Sequence, residues 1–276
     1  MSEYFSLILI SITFSSLIIC ILDHFFFFKL RKFFFIKKYK KQDILKPPII
    51  FSLASSFFTV FLIVWILRSF IVIPYHIPTG SMLPTIQIDD FILVNKFSYG
   101  LKFPILNFQI LSIDNPKRGD IIVFRYPPYK KINYVKTVIG LPGDHISYVN
   151  KQLIINGKRI PKLLIKETLE LSNSKLKSFY LKKKINPSLV REFQENLYGK
   201  KHLIFNSPIA DSENFQDLIV PKNHYFVMGD NRDNSQDSRY WGFVSKNDLV
   251  GKVVLIIFSW NKKLKHPRWN RIGKFI

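Results

Sequence analysis

A single cysteine, Cys20, rules out an intramolecular disulfide and a cysteine metal site, and it leaves the redox compartment open. The histidines (His24, His76, His145, His202, His224 and His266) stand in neither a His-x-Glu-x-x-His nor a Gly-x-Ser-x-Gly setting. Acidic residues are scarce, 19 against 41 Lys and Arg, giving a formal charge of +22. Yet a recognisable nucleic-acid module and a Gly-aromatic binding signature are both missing, so no nucleic-acid partner is expected. Lys, Ile, Phe and Asn are all abundant, as a biased genome would produce, although a basic surface also favours anionic lipid head groups. The Asp/Asn-rich run after Met228 fails as a calcium loop. Arg232 falls where an EF-hand starting at Asp230 needs Asp or Asn, and Gly is missing at the sixth place. No metal and no cofactor is expected, and no internal repeat is present.

What is there begins with two apolar runs. Tyr4 to Leu22 is interrupted only by small hydroxyls, and at 1.5 Å per residue it covers about 28 Å, enough for a hydrocarbon core. Glu3 in place of a basic start, and no Ala-x-Ala site afterwards, make it a permanent anchor rather than a cleaved leader. Ile49 to Leu67 is the second run, with Trp65 near its end and Arg68 placed to snorkel. Between them, residues 29–48 hold Lys29, Arg31, Lys32, Lys37, Lys38, Lys40, Lys41 and Lys46 against Asp43 alone. The positive-inside rule puts that loop in the cytosol, and both termini outside. The expected layout is a first span in 1–28, a basic cytoplasmic loop in 29–48, a second span in 49–73 and an extracytoplasmic domain in 74–276.

From Asp89 onward short apolar runs alternate with Gly, Pro, Asn and Asp, and no long 3.6-residue period remains. Phe91–Val94, Ile121–Phe124, Ile132–Ile139, Leu153–Ile155, Tyr225–Met228 and Val253–Trp260 read as strands, with Asn150-Lys and Asn156-Gly-Lys as hairpin turns. The domain is therefore expected to be mainly antiparallel β. Residues 162–215 are the least legible, and read as an elaboration, partly loop, with a short helix near Pro187–Asn196.

Three stretches carry candidate chemistry. In Pro74-Tyr-His-Ile-Pro-Thr-Gly-Ser-Met-Leu-Pro-Thr-Ile86 the prolines exclude a helix, and a tight turn at Thr79-Gly80 presents the Ser81 hydroxyl. In Asn133-Tyr-Val-Lys-Thr-Val-Ile-Gly140 alternation puts Lys136 on the face of Ile132, Tyr134 and Val138. If that face is buried, desolvation lowers the lysine pKa, and a neutral lysine can serve as a general base in place of histidine. Gly229-Asp-Asn-Arg-Asp-Asn-Ser-Gln-Asp-Ser-Arg-Tyr-Trp-Gly242 reads as a rigid, self-bonded loop able to hold such a lysine. Ser172/Lys175 and Ser259/Lys262 also match Ser-x-x-Lys, which chance explains in so Lys-rich a chain.

The order and spacing of these stretches behind two spans, with Arg118-Gly-Asp-Ile-Ile-Val-Phe-Arg-Tyr-Pro127 between them, resemble the bacterial type I signal (leader) peptidases. These are membrane-bound serine proteases that remove signal peptides from exported preproteins. The resemblance implies Ser81 as nucleophile and Lys136 as general base, with the Ser81 N–H and the Thr79 hydroxyl as oxyanion hole. It implies that Ser235 hydrogen-bonds Lys136 and that Asp237 and Arg239 stiffen the loop. It implies that Ile77, Pro78, Met82, Ile86, Tyr134 and Val135 line shallow pockets for small residues at −1 and −3. Partners are then signal peptides and membrane phospholipids, with Met82-Leu83 touching the bilayer. The chain departs from the family in Thr137, where Arg is frequent, and in having no cysteine pair for the disulfide some members carry. The alternative is an inactive membrane-anchored scaffold of the same fold.

Overall fold

A computed structural model of the chain describes residues 2–27, 29, 49–102, 109–168, 190–208 and 210–276. It divides into two units, Met1–Ile71 and Val72–Ile276. The first holds helices α1 (Ser2–Leu22) and α2 (Ile49–Ile66), each continued by a turn of π-helix, Asp23–Phe27 and Leu67–Ile71. Both are long and apolar enough to cross a membrane, over Ile8–Phe26 and Phe51–Ile71. Leu9, Thr13 and Ser16, spaced four and three apart, are buried, as is Ala54 of α2. Small side chains let two helix backbones approach without a hydrophobic driving force. The Thr13 hydroxyl turns inward on its own helix, donating to the Leu9 carbonyl at 2.7 Å. Apart from Lys29, the basic loop lies outside the described residues.

The second unit is built of antiparallel strands. In chain order they are β1 (Val72–His76), β2 (Asp90–Asn95), β3 (Gly100–Lys102), β4 (Gln109–Ser112), β5 (Ile121–Arg125), β6 (Asn133–Gly140), β7 (His145–Val149), β8 (Gln152–Ile155) and β9 (Lys158–Arg159). There follow β10 (Lys162–Thr168), β11 (Val190–Leu197), β12 (Lys200–Asn206), β13 (Phe215–Ile219), β14 (His224–Met228), β15 (Val244–Ser245), β16 (Leu249–Asn261) and β17 (His266–Pro267). The main sheet runs β1-β2-β16-β5-β6-β14-β15, and β13-β7-β8-β9, β10-β11-β12 and β3-β4 form smaller ones.

The main sheet is covered on both faces where it carries the site. Ile121 to Phe124 is an unbroken apolar run because β5 is buried on both sides. Ile121 and Val123 join one core cluster with Ile77, Met82, Ile86 and Ile92. Ile122 and Phe124 point the other way, toward Val138, Tyr225, Val227 and Val244. Period-two alternation requires this split, and a sheet covered on both faces rewards it. The two hairpin turns are as expected. Asn150 and Lys151 have φ of 49° and 61°, Asn156 and Gly157 51° and 75°, the paired positive φ that a tight two-residue turn demands.

The region after Lys162 differs from expectation. No helix forms near Pro187–Asn196 in its described part; Val190–Leu197 is a strand paired on both sides, to β10 and β12. Its alternation is masked because one of its most deeply buried positions is an acid, Glu195. Among the residues called elaboration, 169–189 and 209 lie outside the described ones.

Candidate active site

Ser81 sits at the second position of a turn closed by the Leu83 N–H donating to the Gly80 carbonyl at 3.2 Å, so the turn centres on Ser81-Met82 rather than on Thr79-Gly80. The segment before it is tied to β2 by reciprocal bonds, Ile77 N–H to the Asp90 carbonyl and Asp89 N–H to the Ile77 carbonyl, both 2.9 Å. The segment after it is anchored from beneath. Met82 and Ile86, 1% and 0% exposed, insert into the core cluster below β2 and β5. Met82 therefore does not face a bilayer; an unbranched apolar chain beside the serine is better used filling the core. Leu83 is half-buried.

Lys136 stands on β6, opposite Ile122 of β5. Only 3% of it is exposed. Its Nζ lies 2.8 Å from Ser81 Oγ and 3.1 Å from the Val135 carbonyl oxygen. The Tyr134 ring is 5.3 Å away. Burial dominates its titration and pulls the ammonium down to about 8, with Asp237 and Asp230 opposing and Arg239 assisting. At that value a substantial fraction is neutral near physiological pH, and the neutral amine accepts the hydrogen bond that its ammonium form donates. Of the neighbours expected on its face, Val138 is buried and Tyr134 half-buried, but Ile132 lies before the strand and is exposed.

The loop from Gly229 to Gly242 grips the nucleophile backbone. Asn231 donates its side-chain amide to the Gly80 carbonyl and its backbone N–H to the Ser81 carbonyl, each at 3.0 Å. So close an approach requires Gly229: a Cβ there would stand 2.2 Å from Ser235 Oγ and 2.5 Å from the Ser81 carbonyl oxygen. Asp237 accepts from Arg239 Nε and Nη2, both at 2.8 Å, and from the Gly229 N–H at 3.0 Å. Burial pushes this carboxyl up, and Arg239 and the Gly229 N–H more than offset it, leaving it below its ordinary value.

Ser235 departs from expectation. Its Oγ is buried and makes no hydrogen bond of ordinary geometry, with Lys136 or otherwise. It lies near enough Asp237 to help hold that carboxyl low.

Sequence reasoning missed a second set of buried charges. Asp230 accepts the Thr137 hydroxyl at 2.7 Å and the Thr85 hydroxyl at 2.5 Å. His202 of β12 places Nδ1 3.3 Å from Asp230 and Nε2 3.0 Å from Glu195. Glu195 in turn receives both terminal nitrogens of Arg232, and Arg232 and Glu195 are each 1% exposed. Asp230 and Arg232 were within the flagged loop, but Glu195 and His202 lie in the stretch whose alternation is weak. Thr79 and Pro78 are exposed, Tyr134 and Val135 half-buried, and Ile77 buried with Met82 and Ile86.

The chain joins two helices apolar enough to cross a membrane to an antiparallel β unit that holds a buried lysine beside a serine. A family model described as signal peptidase, peptidase S26, matches residues 50–260, and the chain belongs to that family. Signal peptidase I of Pseudomonas aeruginosa is 40% identical over 242 residues, covering 83% of this chain and 80% of that one. Signal peptidase I of Buchnera aphidicola subsp. Schizaphis graminum is 41% identical over 296 aligned residues, covering 95% of each chain. Among solved structures, a signal peptidase I from Enterococcus faecalis V583 aligns at 33% identity with a TM-score of 0.29, covering 51% of this chain and 98% of that one.

Proposed function

We propose that this protein removes N-terminal signal peptides from exported preproteins, cleaving after small residues at −1 and −3, with Ser81 as nucleophile and Lys136 as general base. The observation that carries the reading is the 2.8 Å contact between Ser81 Oγ and the Nζ of a lysine buried deeply enough to be pulled down to about 8. The neutral amine takes the Ser81 proton as Oγ attacks the scissile carbonyl carbon. The resulting oxyanion is received by the Ser81 N–H and the Thr79 hydroxyl, where one well-placed donor is worth about 3 kcal/mol. The Lys136 ammonium then returns its proton to the leaving amine, and water activated by the same amine hydrolyses the acyl-enzyme.

The substrate pairs as an added strand. β5 covers one edge of Asn133–Thr137, while β14 pairs only with Thr137, Val138 and Gly140 of β6. Among the described residues, the second edge of Asn133–Lys136 therefore carries no strand, and an extended peptide laid there brings its carbonyl to Ser81. Tyr134, Val135 and Pro78 bound the small pockets at the surface, with Ile77, Met82 and Ile86 supporting them from beneath. Asp237, Arg239 and Ser235 hold the loop behind Lys136. The basic loop faces the cytosol of a bacterial cell, both termini and the domain from Pro74 lie outside the cytoplasmic membrane, and phospholipids surround the two spans.

The test uses the full chain in detergent with lipid and a preprotein bearing Ala-x-Ala, with wild type, Ser81→Ala and Lys136→Ala compared by mass spectrometry. Cleavage after the second Ala, lost in both variants, is expected. An intact preprotein with folded wild type overturns the reading in favour of an inactive scaffold.

A further inference from the structure

Lys136 faces two buried acids, and each has its own cation. Asp237 is held by Arg239, whose side chain is 1% exposed. Among the described residues no arginine forms an ion pair with Asp230, although Arg232 acts on it at longer range; the cation paired with it is a histidine from a different sheet, on β12. We propose that His202 is a positioning residue whose imidazolium, wedged between Glu195 and Asp230, screens the Asp230 carboxylate from the Lys136 amine. This rests on Lys136 acting as the general base.

The ring lies between two buried carboxylates, which favours its charged form. Nδ1 lies 3.3 Å from Asp230 Oδ1 and Nε2 3.0 Å from Glu195 Oε2. Nε2 donates to Glu195, whereas Nδ1 approaches Asp230 at ion-pair distance without a hydrogen bond of ordinary geometry; a buried ring between two carboxylates, which only accept, is favoured in its doubly protonated form. Burial opposes the charge, but Asp230 and Glu195 together outweigh it and raise the imidazole to about 9. The surrounding groups close the account. On β11, Glu195 faces the ring directly and is shared with Arg232. From the loop after β14 comes Asp230, whose remaining contacts are the neutral hydroxyls of Thr85 and Thr137. Asp233 of the same loop is turned away, onto Lys151 and the Ser207 N–H. Asp230, Glu195, Arg232 and His202 balance one another while His202 is protonated, and Lys162 of β10 adds a cation on the side of Glu195 and Arg232.

The consequence reaches the base through Thr137, the residue after Lys136, whose hydroxyl is on Asp230. Asp230 favours the Lys136 ammonium. Neutralising it lets the amine lose its proton at lower pH, and exposing it holds the proton on. Arg239 screens Asp237 at every working pH, whereas His202 screens Asp230 only while it is itself charged.

The experiment is the pH dependence of kcat/KM for preprotein cleavage by the full chain. Wild type, His202→Gln, Asp230→Asn and the double variant are compared. His202→Gln should move the acid limb up by roughly half to one pH unit, and Asp230→Asn should move it down. In the Asp230→Asn background, His202→Gln should move it hardly at all. A residue with a merely structural role would lower the rate at all pH values with the limb in place, and that result overturns the proposal. Failure of wild type to cleave would instead overturn the lysine-base reading. Should His202→Gln not fold, the wild-type His202 ring is followed by NMR with labelled histidine. A doubly protonated ring at pH 7 supports the proposal, and a neutral one refutes it.

Discussion

The loop 229–242 and the β11–β12 hairpin both bring buried charge toward Lys136, but they compensate it differently. In the loop, Asp237 and Arg239 are two residues apart and close their own ion pair within a single turn. In the hairpin, Glu195 and His202 are directly opposite each other across the strands, and the loop must supply Arg232 to finish the set. The first arrangement is local and makes the loop rigid wherever it sits. The second joins two regions that sequence separates, so it fixes where the loop sits. Phe205 N–H donating to the Asp230 carbonyl at 2.8 Å adds a backbone tie along the same seam.

The strongest way to break the comparison is to remove what both regions serve. Lys136→Arg should abolish turnover, by about 10⁴-fold or more, because a guanidinium stays charged and cannot take the serine proton. The loop and hairpin should remain folded, since the cation is retained. Near-normal cleavage by this variant, measured by single-turnover kinetics, would take Lys136 out of the mechanism.

Next in size is an attack on the hairpin's dependence on the loop. Glu195→Gln leaves Arg232 as a buried cation without its anion, and removing one partner of a buried pair costs about 3–5 kcal/mol. Glu195 is pulled down to about 2, because Arg232 and His202 outweigh the burial that pushes it up. Its stabilisation is complete above the ordinary carboxylate range and is lost as pH falls through about 2. His202 runs the other way: its contribution is complete below its ordinary value of 6.5 and is lost as pH rises through about 9. Thermal melts of wild type should therefore lose a component at each end, and Glu195→Gln should flatten both. An unchanged melting temperature in the variant would mean that the buried pair does not lock the hairpin to the loop.

These two regions also mark where sequence reading succeeds. The spans and the six strands were legible because each rests on local pattern: a long apolar run or period-two alternation. The placing of Ser81 in a non-helical turn and of Lys136 on a strand rested on the same kind of signal, while their pairing followed from the resemblance. The ion pair of Asp237 with Arg239 agrees with the loop-stiffening that the resemblance implied for them. Glu195 and His202 were not legible, since an acid at a buried strand position erases the alternation that would announce the strand. Ser235 was misassigned in its contact because a hydroxyl's partner depends on distances of tenths of an ångström. Burial of Met82 and Ile86 likewise depends on which way the turn after Ser81 rolls, and the three prolines around it do not dictate that.

A smaller effect isolates the oxyanion hole. Thr79 is exposed, outside both charge sets, so Thr79→Ala should leave stability within about 0.5 kcal/mol of wild type. Loss of a donor used only in the transition state should lower kcat by about 10²-fold with KM little changed. An effect confined to KM would contradict the role.

The last prediction turns the buried lysine against its own fold. Lys136 is driven by burial from an ordinary 10.5 to about 8, so holding its ammonium in the folded state costs stability. The sign is opposite to that of His202: the cost is complete below about 8 and fades as pH rises toward the ordinary value, where the unfolded chain's lysine is neutral too. Lys136→Met keeps the length and apolar stem of the side chain and removes the charge. It should raise stability at pH 7 by about 2 kcal/mol, allowing for the lost contacts to Ser81 and the Val135 carbonyl. The gain should shrink by pH 10.5. Melting temperatures of both proteins in the same detergent at the two pH values decide it. A variant no more stable than wild type at pH 7 would mean that Asp237 and Asp230 already offset the burial of the ammonium, and that the site holds a charged lysine without strain on the fold.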